Sequence, residues 1–107
     1  MLEKENEVQK KCLEYLKSIG IYCFRNNTGA YSRNGRLIHY GLKGSADILG
    51  ITKDGRFLAV EVKREKGGVL SDEQKEFLFN ITKNGGVSIV ANSLESMIDQ
   101  LKENRIF

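Results

Sequence analysis

Three charged residues, Asp47, Glu61 and Lys63, stand inside or beside two short apolar runs in GSADILGITKDGRFLAVEVK, residues 44–63. The runs flank an Asp54-Gly55 turn signal and read as a β-hairpin. Its register decides what the charges can do. With a two-residue turn at Asp54-Gly55, Asp47 faces Val62 and points away from Glu61. With a three-residue loop, Lys53-Asp54-Gly55, and Gly55 in the left-handed conformation, Asp47 faces Glu61, and alternation places Lys63 on the same face. Directly opposed carboxylates destabilise a sheet and resist joint ionisation. A hard divalent cation relieves both problems, because carboxylate oxygens are its preferred ligands. The second register therefore predicts a Mg2+ or Mn2+ site. The first predicts three unrelated charges, an edge salt bridge at most.

The elements that must position these residues follow from pattern. Residues 3–19 read as a helix, with Val8, Cys12, Tyr15, Leu16 and Ile19 at helical spacing and Gly20 as the stop. IYCFR (21–25) reads as a strand, and NNTGAYSRNG as turn-rich. Asn34-Gly35 predicts a short extra hairpin over about residues 30–40, with RLIHY (36–40) as a strand. After the 47–52 and 57–63 hairpin come a helix over 72–84, a strand over 87–92, and a last helix capped by Ser93. The helix between FLAVEV and VSIVAN makes that strand pair a crossover. The expected fold is α/β, with a mixed central sheet flanked by helices.

Bulk properties narrow the function classes. A chain of 107 residues is one domain, 1–107, able to bury a core without disulfides or structural metals. Cys12 and Cys23 fall at core positions and lack metal-ligand spacing, which suits a reduced, cytoplasmic setting. No apolar run approaches the ~20 residues of a membrane span, and the N-terminus does not resemble a signal peptide. The single histidine, His39, excludes a His-rich zinc site. A net charge of +3 permits a nucleic-acid partner without requiring one.

Gly44-x-x-Asp47, thirteen further residues, then Glu61-Val62-Lys63 resembles the PD-(D/E)xK nuclease superfamily. Within it the chain looks like a stand-alone VRR-NUC domain, the virus-type replication-repair nuclease. The resemblance extends over an N-terminal helix carrying Glu7, FRNNTGA (24–30), KGSADILG (43–50), AVEVKREKG (59–67) and LSDEQKEFL (70–78). Ala46 stands where the superfamily's name has proline.

The resemblance implies a restriction-endonuclease-like α-β-β-β-α-β core and a Mg2+- or Mn2+-dependent phosphodiesterase. Asp47, Glu61, the Val62 carbonyl and Glu7 would hold the metal, although Glu3 and Glu5 lie close enough to replace Glu7. Lys63 would offset charge building on the phosphorane, and Gln74 would support it. Ser71-x-x-Gln74 also reads as a capping box, so Gln74 has a competing role. Arg25, Asn26, Asn27, Arg33, Arg36, Lys43, Arg64 and Lys66 are candidate nucleic-acid contacts. The implied partner is branched DNA, four-way (Holliday) junctions first, cut by a homodimer whose two sites match the junction's symmetry. A bacteriophage or prophage role in replication and repair is implied. A flap, nick or duplex nuclease and an inactive binding module are the alternatives.

Overall fold

A computed structural model describes residues 4–107. Helix α1 (Glu5–Ser18) buries Val8, Cys12 and Leu16 along one stripe. It ends at Gly20, whose φ of 84° suits a residue without a Cβ. Strand β1 (Tyr22–Arg25) follows, then β2 (Gly29–Arg33), β3 (Arg36–Tyr40), β4 (Ile48–Ile51) and β5 (Phe57–Val62). Helix α2 (Asp72–Lys83), strand β6 (Val87–Ala91) and helix α3 (Leu94–Glu103) complete the chain.

The main sheet has the order β1-β4-β5-β6. Its β1–β4 and β4–β5 pairs are antiparallel and its β5–β6 pair is parallel, as a helical crossover demands. The expected mixed sheet with helices on both faces is what forms. Ile48, Leu58, Val60, Val62, Val87 and Ile89 pack one face against α1 and α3 in the main core. Ala59, with Leu49 beside it, packs the other face against Leu78, Phe77 and Ile81 of α2. Cys12 and Cys23 are both buried, and burial pushes the Cys23 thiol up from its ordinary value. No helix among the described residues is long and apolar enough to cross a membrane.

The decisive turn is the three-residue one. Ile48 faces Val60 and Ile51 faces Phe57, so partner numbers sum to 108. Thr52 closes the loop: its N–H donates to the Arg56 carbonyl, and Gly55 N–H donates back to the Thr52 carbonyl. Gly55 has φ 86°, a conformation costing any other residue roughly 1–2 kcal/mol. The short extra hairpin expected over about residues 30–40 forms. Gly29–Arg33 pairs with Arg36–Tyr40 as a separate two-stranded sheet. Asn34 and Gly35, both at positive φ, form its turn.

Candidate active site

The same register carries Asp47, one residue before β4, to the position opposite Glu61. Thr52 and Arg56 form a hydrogen-bonded pair, so by alternation Asp47 and Glu61 occupy a non-hydrogen-bonded position, where opposed side chains lie closest. The regular ladder stops here. The Val62 N–H is taken by the Asp47 carboxylate (Oδ2, 2.8 Å) instead of a β4 carbonyl. A residue's N–H and C=O leave an extended strand on one side. The Val62 carbonyl therefore faces the Asp47 side as well.

Glu61 is the anomalous group. It is 2% exposed. One carboxylate oxygen accepts from the Gln74 amide at 3.3 Å, while the other, Oε2, is buried without any hydrogen-bond partner. Burial, and then the nearby Asp47 carboxylate, push its pKa up to about 8 against the pull of Lys63. Asp47 brings another acceptor and no donor. A proton or a cation between the two carboxylates would satisfy the orphaned oxygen.

Three local devices hold this pair. The Ser71 and Gln74 capping box forms in full at the start of α2. Gln74 keeps its capping role and also touches the pair: its Oε1 accepts from Ser71 N–H, while its Nε2 donates to Glu61, not to the Lys63 side that the resemblance implied. Gly44, at φ 86°, lets the 42–47 loop touch the α2 backbone; a Cβ there would lie 2.6 Å from the Glu73 carbonyl carbon. Asn26 clamps the other side. Its N–H donates to the Asp47 carbonyl at 2.8 Å, and its amide donates to Ser45 Oγ and the Ala46 carbonyl at 2.6 and 2.9 Å.

The helix glutamate whose charge acts on Glu61 is Glu5. Its carboxylate accepts from the Arg64 N–H at 3.0 Å and adds to the negative field on Glu61. It lines a cleft of about 660 Å3 with Lys4, Asn6, Lys63, Arg64 and Gly68. Glu7 is exposed and is not among the groups acting on Glu61. The distinction was legible in principle. Glu5, Val8 and Cys12 share the i, i+3, i+7 stripe that faces the sheet, whereas Glu7 lies about 200° around the helix from Glu5. Glu3 lies outside the described residues.

The other candidates scatter. Asn26 has its side-chain amide engaged in holding the Asp47 loop. Arg25 pairs with Ile48 and by alternation falls on the α1 side of the sheet, not the Asp47 side. Lys43 is paired with Glu73 at 3.3 Å. Asn27, Arg64 and Lys66 are exposed, and Arg33 and Arg36 are exposed on the β2–β3 hairpin.

The VRR-NUC domain profile matches residues 36–95, more than half of the chain. The chain belongs to the VRR-NUC domain family. It is similar to a solved VRR_NUC domain with 26% identity and a TM-score of 0.65, over 92% of this chain and 94% of that one. A second solved structure, a VRR_NUC domain protein, has 18% identity and a TM-score of 0.62, over 96% and 88% of the two chains, and shares the fold. No curated protein shows a significant match. VRR-NUC membership makes this a nuclease domain of the PD-(D/E)xK type, with DNA as the substrate class.

VRR-NUC nucleases are generally dependent on divalent metals. Among the described residues, no three His, Cys, Asp or Glu side chains cluster as a complete protein shell. The donors present still fit a hard cation. Mg2+ is commonly held by one or two carboxylates and keeps its remaining places for water and substrate phosphate. Asp47 and Glu61 are the two carboxylates that could hold such an ion.

Proposed function

We propose that this chain is a Mg2+- or Mn2+-dependent endonuclease that hydrolyses phosphodiester bonds in branched DNA. The observation that carries the chemistry is the buried, unpartnered Glu61 oxygen opposite Asp47. Asp47, Glu61 and the Val62 carbonyl hold the metal, with Glu5 approaching from α1 in the place that the resemblance gave to Glu7. When bound, the metal supplies an activated water and polarises a phosphoryl oxygen. The chain's own residues do the rest. Lys63, on the face of Glu61, places fixed positive charge where the phosphorane develops negative charge. Gln74 fixes the Glu61 rotamer. Asn26 fixes the Asp47 backbone.

The preference for four-way junctions and a homodimeric state belong to the same reading. Tyr22, Phe24, Ile51 and Phe57 share one side of the β1–β4–β5 sheet and remain between 42% and 77% exposed. At 150–250 Å2 per large apolar side chain, the three aromatics and Ile51 leave roughly 330–550 Å2 uncovered. That is about half of the ~800 Å2 per partner of a standard interface. A contiguous apolar patch of this size supports self-association.

Cleavage of matched four-way, flap, nicked and linear substrates with Mg2+ or Mn2+ tests this function, with Lys63→Ala as control. Loss of cleavage in Lys63→Ala with retained binding is expected. An unchanged rate in a clean Lys63→Ala preparation would mean that the chemistry is misassigned. A wild type that cuts no substrate would favour an inactive binding module.

A further inference from the structure

The chain's charge is strongly segregated. Residues 15–46 contain no Asp or Glu but carry Lys17, Arg25, Arg33, Arg36 and Lys43. That segment holds +5 of a net +3, so the remainder sums to −2. The β2–β3 hairpin is the projecting part of this segment. No other element packs substantially against it. Nine of its ten strand residues are exposed. The radius of gyration, 14.4 Å, exceeds the ~13 Å of a compact chain of this length, as a protruding arm requires. An isolated two-stranded hairpin is marginal in water, so an arm of this kind gains stability from whatever covers it.

The register sorts its side chains. Tyr31 faces Ile38, Gly29 faces Tyr40 and Arg33 faces Arg36, and alternation puts all six on one side of the ribbon. The Tyr40 ring lies over Gly29, where a Cβ would meet its hydroxyl oxygen at 2.5 Å. The Tyr31 and Tyr40 rings are 6.3 Å apart. One side is thus an aromatic platform leading to two arginines at the tip. Like charges directly opposed across a ladder are destabilising. No described carboxylate pairs with either arginine. A bound anion between them removes the repulsion.

Topology places the arm beside the site. It springs from the segment joining the end of β1 to the start of β4, and Arg25 pairs with Ile48 next to Asp47. Five residues per strand at about 3.3 Å each give a reach of roughly 16 Å, about five base-pair steps. The duplex major groove admits a two-stranded ribbon.

Resting on the nuclease reading above, we propose that the β2–β3 arm is a nucleic-acid-binding ribbon separate from the Asp47–Glu61 site. Arg33 and Arg36 clamp one backbone phosphate between them. Tyr31, Ile38 and Tyr40 lie against the adjoining sugar and base surface, about five steps from the scissile bond.

The experiment compares full-length wild type, Arg33→Gln/Arg36→Gln and Arg36→Glu. Binding to a labelled four-way junction and to a linear duplex is followed by anisotropy in EDTA across a salt series. The double variant should bind on the order of tenfold more weakly, with its log–log salt slope reduced by about one to two. Arg36→Glu creates a favourable cross-strand pair with Arg33, so a purely structural role predicts unchanged or improved behaviour. The clamp predicts a loss at least as large as in the double variant. Melting curves verify folding, and sedimentation gives the oligomeric state. Wild-type affinity and slope in both variants would overturn the proposal. So would unchanged binding with an altered oligomeric state, which would make the arm a contact between copies. A wild type that binds no nucleic acid would overturn the nuclease reading itself, a result visible before any variant is made.

Discussion

Replacing Glu61 by glutamine should abolish a specific pH dependence of stability. In the metal-free protein the Glu61 pKa is pushed from 4.5 to about 8, chiefly by burial and then by Asp47. The folded-state value lies above the unfolded one. The associated stability is therefore fully present below about pH 4.5 and is lost as pH rises through about 8. At ~1.4 kcal/mol per unit, linkage gives a loss of about 3–4 kcal/mol between pH 5 and pH 8. In a domain of this size that corresponds to a fall in Tm of at least roughly 12 °C. Thermal or urea melts in EDTA at several pH values, wild type against E61Q, read the contribution of Glu61 together with its coupling to Asp47. The wild-type curve should fall away from the E61Q curve over this window. Excess Mg2+ at pH 8 should restore the wild type, by about 2.7 kcal/mol at a hundredfold excess over Kd, and leave E61Q unmoved. Parallel pH curves for the two proteins would show that Glu61 is not a desolvated carboxylate awaiting a cation, and the site assignment would lose its basis.

Other outcomes follow from the same geometry. Gln74→Glu should keep the α2 capping box and lose most activity by placing a third carboxylate against Glu61; Gln74→Ala should in addition lose about 1 kcal/mol of stability, and calorimetry beside cleavage rates separates the two. Glu5→Gln should weaken Mn2+ binding measured by titration calorimetry, whereas Glu7→Gln should not; the reverse ranking would restore Glu7 to the site. Gly55→Val should cost roughly 1–2 kcal/mol from its positive φ, read from urea midpoints. Asn26→Ala should lower kcat with little change in DNA affinity, because its amide holds the Asp47 loop; a loss confined to affinity would make it a DNA contact instead.

Much of this arrangement is legible in the chain alone. The period-2 and period-3.6 patterns locate the helices and the main-sheet strands. The crossover between FLAVEV and VSIVAN makes the sheet mixed. Asp47, Glu61 and Lys63 stand out because charges in a central hairpin need a reason. Register remains ambiguous in sequence, since Lys-Asp-Gly supports two turns one residue apart, and one residue moves every side chain to the other face. The tertiary structure decides it through the Thr52 closure and Gly55. Other features arise only in three dimensions. Glu5 and Glu7 are chemically equivalent, and docking of α1 through Val8 and Cys12 selects between them. Gln74 resembles a capping residue until packing of α2 carries its amide to Glu61. Asn26, one polar residue in a turn-rich loop, becomes the clamp on Asp47 because β1 pairs with β4. Sequence determines which chemistry is available and its order along the chain. Packing determines which oxygen is buried without a partner, because desolvation belongs to the folded surroundings and not to any residue by itself.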